Sequence, residues 1–307
     1  MLEFEELINL TLTACESWVK FDDDGTLRFV DPIDGREISA HYGATHAAAA
    51  FIILGKSNDD AALLKKGVAL ISSIIKRWDT SKIIPSFHSD FNNFALCVAY
   101  DSLIDIDSEL CKQIKIKICS TSDSNHNTVN WLPMRWYVNL KRYEWTGDKK
   151  YQKICQECKL KIKEAINEDG GIEDILPKGT SFNLQYDIAT VGVLQFLRCR
   201  GVDLDLSKEL GFLMKIVAPD GDINYQGRGT NQIFAWGMWI YLLLSSKNET
   251  SDSVSFLRSK MPTMIENNNI MLNNWKGEEK YLWWDYHYSS VYTAHFLFWL
   301  VLAKVDY

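Results

Sequence analysis

Six short segments of this 307-residue chain concentrate the side chains that could bind and transform a polar ligand. Five of the six histidines lie in them, together with tyrosine, tryptophan, asparagine, aspartate and arginine. The segments are 41–46 (HYGATH), 88–93 (HSDFNN), 125–131 (NHNTVNW), 181–187 (SFNLQYD), 225–232 (YQGRGTNQ) and 283–288 (WWDYHY). Helix capping accounts for the serine, threonine, aspartate and asparagine, but not for the other residue types.

These segments suit an anionic sugar as a ligand. Each leads into a long apolar stretch with helical character, so helices standing side by side would direct six positively polarised N-termini toward one end. We call that end the mouth. Flat apolar faces for sugar rings come from Trp131, Trp136, Trp283 and Trp284. A carboxylate such as that of a uronate would be attracted to this end, although core packing also explains any single tryptophan.

Two classes of helix alternate along the chain and would position the segments. One class is apolar nearly all round and must be buried, whereas the other has a charged face and can coat the exterior. The apolar stretches are 43–54, 91–103, 128–145, 182–199, 230–244 and 286–303. The amphipathic stretches are 3–19, 59–78, 108–118, 149–166, 207–217 and 253–265. We take 3–19 as the outer partner of 43–54.

Six helices of each class in strict alternation predict an all-α fold, an (α/α)6 toroid with six inner and six outer helices. We treat residues 1–307 as a single domain. An open α-solenoid would show the same alternation, but the last stretch, 286–303, has aromatic residues on every side and favours a closed ring. Glycine-rich turns at 168–174 and 219–225, with an alternating segment at 21–39, predict small β-hairpin loops at the mouth.

Composition excludes several partners. The net charge is −7 and no cluster of lysine and arginine could follow a phosphate backbone, so we expect no nucleic acid partner. No apolar run has membrane-spanning length, and the acidic start at 1–21 is unlike a secretion signal. Seven cysteines within helical patterns indicate free thiols, which together with these features predicts a cytoplasmic protein. The inner helices account for the apolar content without an interface between subunits, so the sequence does not predict the oligomeric state.

No pattern indicates a metal or a cofactor, and we expect neither. Cys155 and Cys158 form a C-x-x-C pair, but no second pair follows. The histidines are not spaced four residues apart on one helical face, as in metal-binding helices. No glycine pattern follows a predicted strand and opens a helix, as nucleotide sites require.

Three blocks of the sequence resemble, in the same order, the DUF2264 family of (α/α) toroid proteins. The blocks are 130–140 (NWLPMRWYVNL), the D-G-G-I-x-D turn at 169–174 followed by Tyr186-Asp187, and 227–235 (GRGTNQIFA). More distantly, the layout is similar to the toroid domains of heparinase-type and chondroitin-type polysaccharide lyases. The resemblance extends over residues 125–236 and implies a toroid that acts on carbohydrates.

Lyases of this kind act by β-elimination on a glycan that contains a uronate. A base removes the proton next to the carboxylate, and an acid protonates the leaving oxygen. The families that the chain resembles use tyrosine or histidine for this proton transfer. The resemblance therefore makes Tyr186 the leading candidate for proton transfer, with His126 or His88 as an alternative base.

The same families hold the substrate carboxylate with asparagine, histidine or arginine, which makes its α-proton more acidic. Here Asn93 and Asn130 would hydrogen-bond the acid. Arg228, which lies between two glycines, would pair with it through two parallel hydrogen bonds. The remaining predicted substrate contacts are Trp131, Asp90, Trp284, Asp285 and His287.

Two other functions stay open. An (α/α)6 glycoside hydrolase, such as an unsaturated-uronyl hydrolase, needs two carboxyl groups, roughly 6.5–9.5 Å apart in an inverting enzyme. Asp90, Asp187, Asp222 and Asp285 all lie in or near the segments. We favour the lyase because histidine, tyrosine, asparagine and arginine outnumber the acids there. A toroid that binds glycans without cleaving them is the third possibility.

Overall fold

Twelve α-helices make up most of the part of the chain that the computed structural model describes, residues 2–32, 35–81, 87–126, 128–174, 183–223, 233–248, 250–266, 269–270 and 289–307. In chain order they are α1 Leu2–Ser17, α2 Gly43–Ser57, α3 Ala61–Ser81, α4 Ser89–Leu103, α5 Ser108–Ser120, α6 Leu132–Thr146, α7 Lys149–Ala165, α8 Leu184–Cys199, α9 Ser207–Ile216, α10 Trp236–Ser245, α11 Ser251–Met264 and α12 Ser289–Asp306. A 3-10 turn, Val129–Trp131, precedes α6.

The even-numbered helices form a closed inner ring. Helices α2, α4, α6, α8, α10 and α12 each pack against the next, and α12 contacts both α10 and α2. Their apolar sequences require this arrangement, because nearly every side chain on them is buried; on α12 the buried run extends from Ser289 to Ala303. The closed ring confirms the predicted all-α (α/α)6 toroid over the open solenoid.

The odd-numbered helices lie outside the ring. Helices α3, α5, α7 and α9 pack on the inner helices that precede them, and α11 adjoins α10, where the Trp236 and Phe256 rings stack. Helix α1 packs against α12 and α11. The predicted pairing of the first helix with the inner helix at 43–54 is therefore wrong. The partner of α2 is α3, and α1 covers the last inner helix, so the two ends of the chain close the ring together.

Small residues bring α2 and α3 into close contact. The run Ala47–Ala50 is fully buried. A Cβ on Gly67 would lie 2.8 Å from the carbonyl oxygen of Ala48, and one on Gly55 would lie 2.5 Å from the backbone nitrogen of Leu64. Real Cβ atoms do not approach so closely, so glycine is required at both contacts.

The two ends of the toroid differ in the length of their connections. Short connections lead from inner to outer helices, at 58–60, 104–107, 147–148, 200–206 and 246–250. Five of the six connections from outer to inner helices are longer, at 18–42, 121–131, 166–183, 217–235 and 265–288, whereas the sixth, at 82–88, is as long as that at 200–206. All six inner helices begin at the end of the toroid where these connections lie, so the described mouth residues 41–46, 88–93, 125–126, 128–131 and 183–187 belong to that end.

A small hairpin occurs in the first of these connections, as predicted, and a second pair of strands, which was not predicted, follows α11. Strand β1 (Val19–Phe21) pairs antiparallel with β2 (Leu27–Phe29), and β3 (Ile265–Glu266) pairs with β4 (Asn269–Ile270). In the glycine-rich turn at 168–174, Ile172 forms a bridge with Ile166, and the Asn167 side chain accepts hydrogen bonds from the three backbone N–H groups at 169–171. The turn thus fixes the described first part of the connection between α7 and α8, residues 166–174.

Candidate active site

Histidine and tryptophan side chains from the first three mouth segments meet in one cluster. The ring centroids of His41 and His88 are 4.3 Å apart, and His88 lies 5.3 Å from Trp131. Trp131 lies in turn 4.7 Å from His126. Phe87 packs edge-on against His126, at 4.2 Å. Residues far apart in sequence thus form one aromatic surface at the mouth.

Hydrogen bonds fix the backbone that carries these rings. The Asn92 amide nitrogen donates to the carbonyl oxygens of His41 (3.3 Å) and His88 (3.1 Å), and its oxygen accepts from Thr45 (2.8 Å). His88 Nδ1 lies 2.9 Å from the carbonyl oxygen of Ala40. The first two segments are therefore joined by side-chain hydrogen bonds. The sequence does not distinguish Asn92 from Asn93, because two neighbouring asparagines do not reveal which amide faces the backbone.

A second pair of histidines lies deeper in the ring. His46 and His295 are fully buried, with ring centroids 5.0 Å apart. His46 Nδ1 lies 2.9 Å from the carbonyl oxygen of Tyr42, but His46 Nε2 and both nitrogens of His295 have no hydrogen-bond partner. His295 lies outside the predicted mouth segments. The only feature of the sequence that marks it is that a histidine stands within an otherwise apolar helix. All five histidines of the described residues thus belong to the mouth or to the ring just below it.

Tyr186, on α8, is linked to these aromatic side chains from the opposite side of the helix ring. Its ring lies 5.8 Å from Phe234, which stacks on His295 at 4.9 Å with an angle of 8°. Phe91 then lies 6.1 Å from His295 and 5.3 Å from Trp131. Continuous ring contacts therefore lead from Tyr186 to the cluster around Trp131.

Burial keeps these histidines uncharged. It lowers the pKa of His41 to about 4, and burial with His41 and His126 nearby lowers the pKa of His88 to about 3. Burial also lowers the pKa of His46 to about 3 and that of His295 well below its ordinary value. At neutral pH these four rings are neutral, and each can accept or donate a hydrogen bond.

Two of the predicted asparagines carry unsatisfied amide groups. Asn93 is 1% exposed, and neither its amide nitrogen nor its amide oxygen has a hydrogen-bond partner. Asn130 is 3% exposed, and its amide oxygen also lacks one. Buried polar groups are rarely left unpaired, so both side chains are suited to a polar ligand or an ordered water.

Asp90 forms a buried ion pair with Arg135. Arg135 donates to Asp90 Oδ2 from Nε (3.2 Å) and Nη2 (2.8 Å). Nη2 also donates to the carbonyl oxygens of Ser124 (2.6 Å) and His126 (3.1 Å). Burial raises the pKa of the Asp90 carboxyl to about 6, and the charge of Arg135 opposes that rise. The pair thus anchors the loop that carries His126.

Asp187 is also buried, but it has no cationic partner in the described residues. Its Oδ2 accepts from the backbone N–H of Ile172 at 3.3 Å, while Oδ1 has no hydrogen-bond partner. Burial raises the pKa of this carboxyl well above its ordinary value, and Glu209 adds to the effect. Asp187 is therefore suited to remain protonated at a pH where exposed carboxyls are ionised.

Four predicted site residues lie outside the described residues, namely Arg228, Trp284, Asp285 and His287. In the part that is described, no group of three or more histidine, cysteine, aspartate or glutamate side chains is placed to hold a metal ion. Within the same ranges, no helix combines the length and apolar content needed to cross a membrane.

Solved structures with the same architecture include carbohydrate enzymes. The chain is similar to the α-1,6-mannanase GH76A of Salegentibacter sp. HEL1_6, at 14% identity and a TM-score of 0.63 over 98% of this chain and 99% of that chain. It is similar to a polysaccharide lyase, at 11% identity and a TM-score of 0.59 over 98% and 97%. An unsaturated glucuronyl hydrolase of Streptococcus agalactiae matches at 12% identity and a TM-score of 0.59 over 99% and 91%.

Sequence comparison gives no family. No protein-family model matches the chain, and no curated protein matches it either. Membership of the DUF2264 family therefore stays a prediction. The structural likeness establishes the fold, and the chain has the (α/α)6 toroid fold of these glycoside hydrolases and this lyase.

Proposed function

We propose that the chain is an enzyme that binds an anionic glycan at the mouth and cleaves it by β-elimination next to a uronate. The observation that carries this proposal is the convergence of His41, His88, His126 and Trp131 with the unpaired amide of Asn93 nearby on α4. The neutral imidazoles of His41 and His88 and the amide of Asn93 can hydrogen-bond a carboxylate, and a neighbouring imidazole or phenol can transfer a proton. The polysaccharide lyase with the same fold is consistent with this chemistry.

Proton transfer is assigned to Tyr186 and His126. In the reaction, the base takes the proton on the carbon next to the carboxylate, the electrons of that bond form a carbon–carbon double bond, and the bond to the leaving oxygen breaks. The acid then gives a proton to that oxygen. The low pKa of His88, about 3, makes it a weak base, so we assign it to hydrogen bonding instead.

Recognition of the carboxylate is assigned to Asn93 and Asn130. Hydrogen bonds from neutral amides stabilise the negative charge that grows on the carboxylate as its α-proton leaves. Because the amide of Asn93 is buried and unpaired, it would gain hydrogen bonds on binding without losing any within the protein. Arg228 is proposed from the sequence for the same role.

The direct test uses oligosaccharides that contain uronates. β-Elimination creates a double bond conjugated with the carboxylate, so product formation is followed by its ultraviolet absorbance. Replacing Tyr186 by phenylalanine should lower kcat by about 10²–10⁴-fold, the usual contribution of a positioned proton-transfer group. A wild-type protein that releases new reducing ends without this absorbance contradicts the elimination and indicates hydrolysis.

Hydrolysis is the second candidate because of Asp187. This buried carboxyl, with its raised pKa, has the property of a general acid in a glycoside hydrolase. Asp90 is less suited as its partner because Arg135 binds it, so the second carboxyl would be Asp222 or Asp285, which are proposed from the sequence. The mannanase, which is known in complex with α-1,6-mannotriose, and the glucuronyl hydrolase are consistent with this alternative. Replacing Asp187 by asparagine should abolish hydrolysis, whereas a lyase would retain much of its rate.

Binding without cleavage is the third candidate. The unpaired amide of Asn93, the unpaired amide oxygen of Asn130 and the ring face of Trp131 would bind a glycan whether or not it reacts. Retention on a column of immobilised uronate-containing oligosaccharide, with neither new reducing ends nor ultraviolet absorbance in solution, would favour this function.

A further inference from the structure

A cavity of about 260 Å³ lies beside the histidine cluster, and the proposed reaction does not use it. It is bounded by β2, by the C-terminal half of α3, and by the first turns of α2 and α12. Its titratable lining residues are Arg28, Glu37, His41 and Arg77. The cavity therefore lies at the mouth, between the inner ring and an outer helix.

The size and lining of the cavity suit one small polar ring. Sites for drug-sized ligands begin at about 300 Å³, so this cavity fits a smaller molecule. Trp78, Ile74 and Val291 give it apolar walls, and Thr45 and Asn92 add polar groups. Apolar walls with a few polar groups are typical of small-molecule sites.

The charged groups of the cavity favour hydroxyl groups over a phosphate. Arg77 Nη2 lies 2.9 Å from Glu37 Oε1, and Arg28 Nε lies 2.5 Å from Asp22 Oδ2. Guanidinium groups donate and a carboxylate accepts, so together they can bind neighbouring hydroxyls. Both guanidinium groups already have a carboxylate partner, so the cavity offers them as hydrogen-bond donors to hydroxyl groups and not as two unbalanced charges for a phosphate dianion.

The cavity adjoins the cluster through His41. This residue lines the cavity, and its ring centroid is 4.3 Å from that of His88. Asn92, another lining residue, hydrogen-bonds the backbone of both histidines. A sugar ring in the cavity would therefore place the next unit of the same glycan over the cluster.

We propose that this cavity binds one pyranose ring of the glycan, the unit next to the bond that is cleaved. The assignment rests on the proposed function for the identity of the ligand as a glycan. It is tested through binding, so its outcome does not depend on whether the reaction is an elimination or a hydrolysis.

The test fills the cavity without disturbing the helix. Ala44, a half-buried residue in the first turn of α2, lines the cavity, and leucine is nearly as good a helix former as alanine. The control is Ala62→Leu, at an exposed position near the start of α3. Calorimetric titrations with D-glucuronic acid and D-mannose should show binding of at least one sugar to the wild type and to Ala62→Leu. Ala44→Leu should weaken it by about tenfold or more, because the side chain occupies the site.

A second variant covers the case in which Ala44→Leu does not fold. Arg28 has a half-exposed side chain, so Arg28→Met should fold and weaken sugar binding by about tenfold through the lost charged hydrogen bond. If the wild type binds glucuronic acid more tightly than mannose and Arg28→Met does not, the cavity binds an acidic sugar ring. If the substitution weakens the binding of both sugars equally, the cavity binds a neutral ring.

Three outcomes overturn the assignment. These are the absence of binding by both sugars, unchanged binding in the folded variants, and unchanged kcat/KM of Ala44→Leu on an oligosaccharide that the wild type cleaves. The last result would leave the proposed function intact. Conversely, sugar binding that Ala44→Leu abolishes, in a protein that cleaves no glycan, would support the cavity and contradict the enzyme.

Discussion

His46 and His295 lie next to each other where the ring closes, with ring centroids 5.0 Å apart, ring planes tilted by 49° and no solvent exposure. One comes from the first inner helix and the other from the last, so the contact forms only in the closed toroid. Three of their four ring nitrogens have no hydrogen-bond partner. The protein thus holds two neutral imidazoles at a point where a charge would be costly.

The first prediction is a loss of stability in acid. The pKa of His46, about 3, and that of His295 are lowered on folding, so the unfolded chain binds more protons. The free energy of unfolding should therefore fall as the pH drops from about 6.5 toward 3, by up to about 1.4 kcal/mol per pH unit for each histidine. Asp90 and Asp187 act in the opposite direction, because their pKa values are raised on folding.

The measurement is urea unfolding at a series of pH values for the wild type and His295→Phe. Phenylalanine keeps the stacking on Phe234 and removes two unpaired nitrogens, so stability at pH 7 should change by less than about 1 kcal/mol. The curve of the variant should be flatter below pH 6.5. Parallel curves for the two proteins would show that His295 is protonated as easily in the folded state as in the unfolded one.

The second prediction tests whether Asp90 stabilises the fold through its ion pair with Arg135. Replacing Asp90 by asparagine leaves Arg135 without its counterion in a buried site, which should cost about 3–5 kcal/mol of unfolding free energy. The matched control is Glu109→Gln, which breaks an exposed ion pair with Lys112 and should change stability by at most about 1 kcal/mol. Equal midpoints of chemical unfolding for Asp90→Asn and the wild type would rule out the anchoring role.

The sequence predicted the inner ring because a helix without a polar face must be buried on all sides. It did not predict that α1 covers α12, because amphipathic periodicity shows that a helix has an outer face and not which neighbour it packs on. In the candidate site, too, the sequence predicted the position of a residue but not its contacts. The mouth position of His126 follows from the helix order, but the bond from Arg135 to the His126 carbonyl oxygen depends on the register between a loop and a helix.

Asp90 shows most clearly that local sequence spacing does not encode tertiary contacts. Its position at a helix start with other polar residues predicts a substrate contact. Its binding by Arg135, which lies 45 residues later, is a tertiary contact that local spacing does not encode. His295 was missed for the converse reason, since it lies well inside α12 and only the ring contacts bring it beside His46.

The third prediction concerns the contact between α10 and α12. A Cβ on Gly237 would lie 2.8 Å from the carbonyl oxygen of Phe296 and 2.8 Å from Trp299 Cβ. Gly237→Ala should therefore destabilise the protein by about 1–3 kcal/mol. Gly211→Ala, in α9 with no atom within 4 Å of the added methyl group, should stabilise it by about 0.5–1 kcal/mol. Thermal unfolding that moves both variants in one direction would contradict this account of the packing.

The fourth prediction tests the proposed base. The ring of His126 contacts Phe87 and Trp131, whereas its backbone binds Ser124 and Arg135, so replacing the side chain by glutamine leaves the anchoring of the loop in place. His126→Gln should retain the wild-type unfolding midpoint within about 1 kcal/mol, as surface and half-buried substitutions usually do. Its kcat on the cleaved oligosaccharide should fall by about 10²–10⁴-fold, since glutamine cannot accept the proton.

The matched control for that rate is His88→Gln. This histidine is already a weak base, with its pKa lowered to about 3, and glutamine can take over its hydrogen bond. We therefore expect a smaller fall in kcat than in His126→Gln, together with a higher KM because a substrate contact is weakened. A lower rate in His88→Gln than in His126→Gln would reverse the two roles, and wild-type rates in both would leave Tyr186 as the proton-transfer group.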